Sequence, residues 1–336
     1  MEILCGDALE HLRRLESMSV HTCVTSPPYF NLRDYGNPAQ IGMENTVEEY
    51  IDRLVEVFRE VRRVLRDDGT LWVNIGDSYA TSSGPNPPTN TRNSCGHTKK
   101  SVPPGYKAKD LIGIPWLLAF ALRSDGWYLR QDIIWHKTNC MPESVKDRCT
   151  KCHEYIFLLS KNKTYYFDAE AISEPVTEST IKRYSQDIHG QTGSYKQPGR
   201  AGRPMKAAAP RFGGNKYGDD GRPENRTKSG NPFNYKPHKN KRDVWTTATG
   251  GYRGAHFAVF PEKLIEPCIL AGSPAGGIVL DPFAGSGTTG VVCKKTDRDF
   301  IGIELNPEYA KMAADRIAQV TEPAEVEQLT IEEATL

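Results

Sequence analysis

Apolar positions recur along this chain at two periods, and the two periods alternate. From Thr46 to about Leu65, the residues Val47, Tyr50, Ile51, Leu54, Val57, Phe58, Val61 and Leu65 keep helical spacing. Thr46 with Glu49 three residues on makes a capping box, so a helix is predicted to open there. A shorter helix is predicted over residues 8–16, where Leu9, Leu12 and Leu15 share one face. Short apolar and β-branched runs at 2–5, 20–25, 70–75, 128–135 and 155–160 predict strands, with Asp67-Asp68-Gly69 turning the chain into the third. A helix is predicted around 115–123. Near the C-terminal end the pattern predicts helix 261–271, strand 277–281, helix 288–295, strand 300–304 and helix 307–320. Strands alternating with helices give an α/β fold, and no internal repeat interrupts them.

Two stretches lack periodicity. Residues 81–107 form a loop rich in Ser, Asn, Pro and Gly. Residues 176–254 are rich in Gly, Pro, Asn and basic residues, with fifteen Lys/Arg against four Asp/Glu between Lys182 and Arg242. Composition alone describes a poorly packed insertion. Yet Tyr184, Tyr195, Phe212, Tyr217, Phe233, Tyr235 and Trp245 are interleaved with the charge, a mix suited to phosphate contacts and stacking on exposed bases. Candidate phosphate contacts are Arg211, Arg222, Lys239, Lys241 and Arg242.

The whole chain of 336 residues is nearly neutral, with 43 Lys/Arg against 42 Asp/Glu, so any nucleic-acid field must be local. No apolar run is long enough to cross a bilayer, and residues 1–7 carry no secretory signal, so a cytoplasmic protein is expected. The 8 cysteines are scattered, several inside apolar segments, so reduced thiols are expected. Cys149 and Cys152 form a single CxxC. With Cys140 and His153 nearby it remains an incomplete four-ligand set, and no metal is expected.

Three places carry candidate chemistry. Ser26-Pro27-Pro28-Tyr29 follows a strand, and two prolines can continue neither a helix nor a central strand. The rigid turn fixes a hydroxyl, main-chain carbonyls and an aromatic face around what suits a flat, amino-bearing ring. Asp281-Pro282-Phe283-Ala284-Gly285-Ser286-Gly287-Thr288-Thr289-Gly290 reads as strand end, glycine turn and helix start, where open α/β sheets bind ligands. It is no Walker loop, because no Lys follows the last Gly. Glu304 ends the next strand, seventeen residues after Gly287, where an acidic group can take ribose hydroxyls. Asp7 follows the first strand and can cap a helix, accept from an adenine amine, or both.

Taken together, these segments resemble the DNA amino-methyltransferases that use S-adenosyl-L-methionine. Thr25-Ser26-Pro27-Pro28-Tyr29 resembles their catalytic motif, and the 281–289 loop with Glu304 resembles their cofactor motif. His256-Phe257-Ala258-Val259-Phe260-Pro261 resembles the segment leading to the helix beside the methionine end. Segments 132–137 and 153–159 also look like recurring family segments. The catalytic motif precedes the cofactor motif, an order similar to the family's β-type permutation.

The resemblance implies a largely parallel seven-stranded Rossmann-like sheet with helices on both faces and an irregular target-recognition insertion. It divides the chain into a catalytic half (1–175), the insertion (176–254), a cofactor-binding half (255–320) and an acidic tail (321–336). It implies catalysis by Ser26, Pro27, Pro28 and Tyr29. Cofactor binding would fall to Asp7, Thr25, His256, Phe257, Asp281, Pro282, Phe283, Ala284, Gly285, Ser286, Gly287, Thr288, Thr289, Glu304 and Asn306. It implies base flipping in double-stranded DNA, with N4 of cytosine as target because Ser stands first in the motif, and N6 of adenine as the alternative. Implied partners are a cognate restriction endonuclease and at most a second copy, as monomer or homodimer, with no membrane. Two competing readings are an RNA or protein amide methyltransferase and a non-catalytic DNA-binding module.

Overall fold

The computed structural model describes residues 1–32, 37, 40–81, 102–179, 238–249 and 260–320. The chain divides into two compact units, one of Met1–Ile172 with Arg242–Leu336, the other Ser173–Lys241.

The first unit is built on one sheet. Its strands are β1 (Glu2–Cys5), β2 (Val20–Thr25), β3 (Leu65–Ile75), β4 (Tyr128–Lys137), β5 (His153–Ser160), β8 (Val244–Thr247), β9 (Ile278–Asp281) and β10 (Asp299–Glu304). Their order is β1-β10-β9-β2-β3-β5-β4-β8. Only β5 runs against its neighbours, pairing antiparallel with β3 and β4; every other pairing is parallel. Because β5 alone is reversed, its N-terminal end shares one sheet edge with the C-terminal ends of the other seven. At that edge parallel sheets leave crevices for ligands.

The expected seven strands become eight. The extra one, β8, comes from the stretch read as irregular, where Val-Trp-Thr-Thr supplies β-branched and aromatic side chains that fit a pleated surface. Trp245 lies opposite Trp135 of β4, is buried, and donates its indole N–H to the Arg242 carbonyl at 2.7 Å. It is a core residue of the sheet, not an exposed stacking platform as expected.

The helices are α1 (Ala8–Arg14), α2 (Val47–Val64), α3 (Ile114–Ser124), α4 (Glu262–Gly272), α5 (Thr288–Lys295) and α6 (Pro307–Ala318). The capping box of α2 forms as predicted: Thr46 Oγ1 accepts from the Glu49 N–H at 3.1 Å, and the Glu49 carboxylate accepts from the Thr46 N–H at 3.3 Å. Alternation along the strands feeds two cores. Cys23, Leu71 and Val73 join the core under α2 and α3, whereas Val24 and Trp72 join the one under α4 and α5. Helices thus cover both faces. No helix among the described residues is long and apolar enough to cross a membrane.

The expectation of reduced thiols fails at one pair: Cys140 and Cys152 form a disulfide, with Cα atoms 5.2 Å apart. The antiparallel register of β4 and β5 sets His136 opposite His153 and so brings the two cysteines together just beyond the strand ends. The bond takes Cys152 out of the CxxC pair. Cys5 and Cys149 remain exposed thiols, and Cys23, Cys268 and Cys293 are buried ones. No cluster of three or more metal-ligating side chains occurs among the described residues.

In the second unit, β6 (Glu174–Pro175) pairs antiparallel with β7 (His238–Lys239). Glu174 faces Lys239 at 3.8 Å and Lys241 at 4.0 Å.

Candidate active site

The two halves of the sequence meet where β9 pairs with β2. One buried carboxylate holds that seam. Asp281 Oδ1 accepts from Thr25 Oγ1 at 2.6 Å and from the Phe283 N–H at 3.1 Å, and Oδ2 accepts from Thr289 Oγ1 at 2.7 Å. Asp281 is 1% exposed. Burial raises its carboxyl to about 6, an effect that the three hydrogen bonds reduce. Asp281, Thr25, Gly287 and Thr289, all predicted to touch the cofactor, do not line the cavity described next. Asp281 and the two threonines fasten the glycine loop to the strand that carries the Pro-Pro turn. Gly287 is the N-cap of α5 at φ +75°; a Cβ there would fall 3.0 Å from the Ala313 Cα, so α6 packs against bare backbone.

Above the seam lies a cavity of ≈ 650 Å³. One wall is the loop from Pro282 to Ser286, with Thr288, Glu304 and Asn306. Glu304 Oε2 accepts from the Gly285 N–H at 2.8 Å and Oε1 from the Asn306 N–H at 2.9 Å. Each oxygen keeps a further lone pair, and Glu304 lines the cavity. Burial raises the Glu304 pKa, and the backbone donors oppose that. Asn306 Oδ1 caps α6 through the Glu308 N–H at 2.8 Å, and Asp7 Oδ1 caps α1 through the Glu10 N–H at 3.0 Å. Both residues also line the cavity, so capping a helix does not take them away from it.

The opposite wall carries Ser26, Pro27, Pro28 and Tyr29. Tyr50 Oη donates to the Pro28 carbonyl at 2.8 Å. Among the described residues none donates to the Pro27 carbonyl. Tyr29 Oη donates to Glu154 Oε2 at 2.8 Å. Burial first, then the Glu154 charge and hydrogen bond, push the Tyr29 phenol well above its usual range, an effect that the nearby Ser26 hydroxyl reduces.

This wall contains side chains to which the sequence reading gave no role: Asn74 from β3, Trp135 and Lys137 from β4, and Glu154 from β5. Lys137 Nζ pairs with Glu154 Oε1 and sits 4.4 Å from the centre of the Trp135 ring. The available signal was a charged residue near one end of each strand, Lys137 closing β4 and Glu154 near the start of β5. His256, Phe257, Arg211 and Arg222 lie outside the described residues, as do Tyr184, Tyr195, Phe212, Tyr217, Phe233 and Tyr235. Lys239 and Lys241 lie in the second unit, both beside Glu174, and Arg242 belongs to the first.

The family model described as DNA methylase matches residues 20–315, from the catalytic strand through the glycine loop to α6. The chain belongs to this DNA methylase family. It is 47% identical over 319 residues to the Type II methyltransferase M.SmaI of Serratia marcescens, covering 94% of this chain and 90% of that protein. It is 45% identical to M.Cfr9I of Citrobacter freundii, covering 93% and 86%. The fold resembles that of the PvuII DNA methyltransferase, titled cytosine-N4-specific, at a TM-score of 0.58 and 18% identity over 94% of this chain and 85% of that one. A putative DNA modification methylase from Thermus thermophilus, complexed with S-adenosyl-L-methionine, matches at 0.53 and 23% identity over 94% of each chain.

S-adenosyl-L-methionine is the cofactor of this DNA methylase, and the residues present fit it. Gly285, at φ 52°, lines the cavity with bare backbone, so no side chain stands in the way there. Glu304 offers acceptors for ribose hydroxyls, and Pro282, Phe283 and Pro307 offer apolar surface for an adenine ring. When bound there, the cofactor supplies an electrophilic methyl group on a sulfonium sulfur.

Proposed function

We propose that this DNA methylase methylates the exocyclic N4 amine of cytosine in duplex DNA, acting on a base flipped out of the helix. One observation carries the reading. Across the cavity from the glycine loop and Glu304, Tyr50 occupies the Pro28 carbonyl, which leaves the Pro27 carbonyl and the Ser26 hydroxyl as acceptors for two amino hydrogens. Accepting both draws a conjugated, poorly nucleophilic nitrogen toward tetrahedral geometry and turns its lone pair across the cavity. Flipping costs a few kcal/mol. Stacking on Tyr29 recovers about 1–3 kcal/mol. Fixed geometry supplies about 7–11 kcal/mol in favourable cases, and the methylated nitrogen, being acidic, sheds its proton without a strong base. No covalent nucleophile is needed.

The choice of cytosine rests on Ser26 at the first motif position and on the cytosine-N4 specificity of the PvuII enzyme, whose fold this chain resembles. Kinship to Type II methyltransferases supports a place in restriction–modification, with a cognate endonuclease as partner in the cytoplasm. Residues 176–254 would read the target, with Lys239, Lys241, Arg242, Arg211 and Arg222 on phosphates. Charge reversal at Lys239, Lys241 and Arg242 should weaken DNA binding and flatten its salt dependence; an unchanged salt slope removes them from the phosphate contacts. Nucleoside mass spectrometry of DNA from cells expressing the protein should reveal N4-methylcytosine. N6-methyladenine instead would move the target to adenine. Neither base, with the protein folded and cofactor bound, would overturn the reading.

A further inference from the structure

Among the described residues that line the cavity, Lys137 is the single cation. Its backbone N–H donates to the Cys152 carbonyl at 2.8 Å, and its ammonium pairs with Glu154 Oε1. The Lys137 and Glu154 side chains are 19% and 14% exposed. An ion pair dried to that degree returns little net stability against its desolvation cost, so support of the fold explains it poorly. Glu154 also fixes where the ammonium stands. Its other oxygen, Oε2, accepts from Tyr29 Oη at 2.8 Å and from Asn74 Nδ2 at 3.4 Å, and Asn74 is itself held by the Tyr155 carbonyl at 3.1 Å. Lys137 Nζ and Tyr29 Oη thus sit on the two oxygens of one carboxylate, which puts the cation at the phenol end of the Tyr29 ring. The backbone is pared down to allow this meeting. A Cβ on Gly76 would fall 2.8 Å from Tyr29 Cε2 and 3.2 Å from the Glu154 carboxyl carbon.

A count of donors shows what Lys137 has left. An ammonium offers three N–H groups and accepts nothing. Glu154 Oε1 takes one, and the Trp135 ring, centred 4.4 Å from Nζ, takes up a second. The third has no partner among the described residues, on a side chain that lines the cavity. A flipped base is read along its Watson–Crick edge. Cytosine presents an amine, a ring nitrogen and a carbonyl oxygen there in turn, whereas adenine presents an amine, a ring nitrogen and a C–H. We infer that Lys137 determines specificity for cytosine. With the amine at Pro27 and Ser26 and the ring laid along Tyr29, the far end of that edge reaches the phenol end of the platform. There the remaining Lys137 N–H donates to the 2-carbonyl oxygen, an acceptor that adenine lacks. Glu154 holds the ammonium in place and offsets its charge, so the contact does not drain electrons from the amine that must attack. The inference rests on the cytosine target proposed above and on its stacking against Tyr29.

The test pairs a change in the protein with a change in the base. The full-length protein is assayed on a duplex bearing the sequence it marks in the DNA of expressing cells, with cytosine or 2-thiocytosine as the target. The sulfur leaves the amine and the ring nitrogen in place but is a poor acceptor. For wild type it should lower kcat/KM about tenfold, the scale of one hydrogen bond to a charged group. Lys137→Met should lose about tenfold on cytosine and then distinguish the two bases by less than about twofold, with cofactor affinity held. Because Lys137→Met strands a carboxylate, the neutral double variant Lys137→Met, Glu154→Gln is run beside it with melting temperatures, and it should show the same indifference to sulfur. A wild-type enzyme indifferent to the sulfur overturns the inference and needs no variant to do so. Variants that keep the wild-type ratio between the two bases also overturn it, however slow they are, as does a loss confined to cofactor affinity or melting. Adenine marked in place of cytosine overturns the cytosine reading and this inference together, whereas cytosine marked with an unchanged ratio in the variants overturns the role of Lys137 alone.

Discussion

The two walls of the cavity are built on opposite principles. The cofactor wall is nearly contiguous in sequence: residues 282–286 and Glu304 stand at the ends of adjacent strands β9 and β10, joined by α5. Its bonds run mainly from backbone N–H groups to carboxylates, as from Gly285 and Asn306 to Glu304. The opposite wall gathers Tyr29, Asn74, Lys137 and Glu154 from four strand ends and joins them side chain to side chain. A wall made of backbone tolerates changes in its neighbours. A wall made of side chains propagates them.

That contrast can be broken by substitution. The largest effect is expected for Tyr29→Ala, which removes the stacking face and the phenol together. Turnover should fall about a hundred-fold, while a cofactor titration shows little change. Equal losses in both would mean that the walls are not separable. Gly76→Ala should do less, because it displaces Tyr29 and Glu154 without deleting them. Overpacking of this kind costs about 1–3 kcal/mol, so roughly a tenfold loss of turnover is expected. Glu304→Gln tests the other wall: cofactor affinity should weaken about tenfold, with turnover at saturation preserved. Isothermal titration and steady-state rates distinguish these outcomes.

The smallest effect concerns the seam. Burial raises the Asp281 carboxyl to about 6 from 3.8, so the native state holds a proton that the unfolded chain releases between those values. The stability linked to that proton is present at pH below the unfolded value and is lost as pH rises through about 6. Asp281→Asn does not titrate. Its melting temperature relative to wild type should therefore climb as pH goes from about 4 to about 7, then level off. A difference that stays constant over that range would show the carboxyl to be ionised throughout.

The sequence made one wall legible and left most of the other unread, and the reason is range. The glycine loop, Glu304 and the Thr46–Glu49 box declare themselves within a few residues, because local backbone chemistry demands those residue types. The Pro-Pro turn was equally visible. Lys137 and Glu154 become neighbours only through the β4–β5 register, which pairs Trp135 with Glu154, and no local pattern encodes that. The same register made the Cys140–Cys152 bond. β8 was hidden for a related reason: four strand-forming residues in a basic, glycine-rich stretch gain their identity only by docking on β4. Asp281 taught the converse lesson. Its place in the loop is as expected, but its work is to join β9 to β2 through Thr25.

That junction also dictates when the enzyme can first exist. β2 finds β3 soon after both are made, but its other neighbour, β9, is translated some 250 residues later, and β1 waits for β10. At ribosomal rates of about 5–20 residues per second, the strand bearing the Pro-Pro turn spends tens of seconds with one edge unpaired. A nascent chain therefore cannot methylate anything. Activity waits until β9 and β10 have emerged, and the exposed edge of β2 in the meantime is the place where a crowded or slow translation would most readily misassemble the protein.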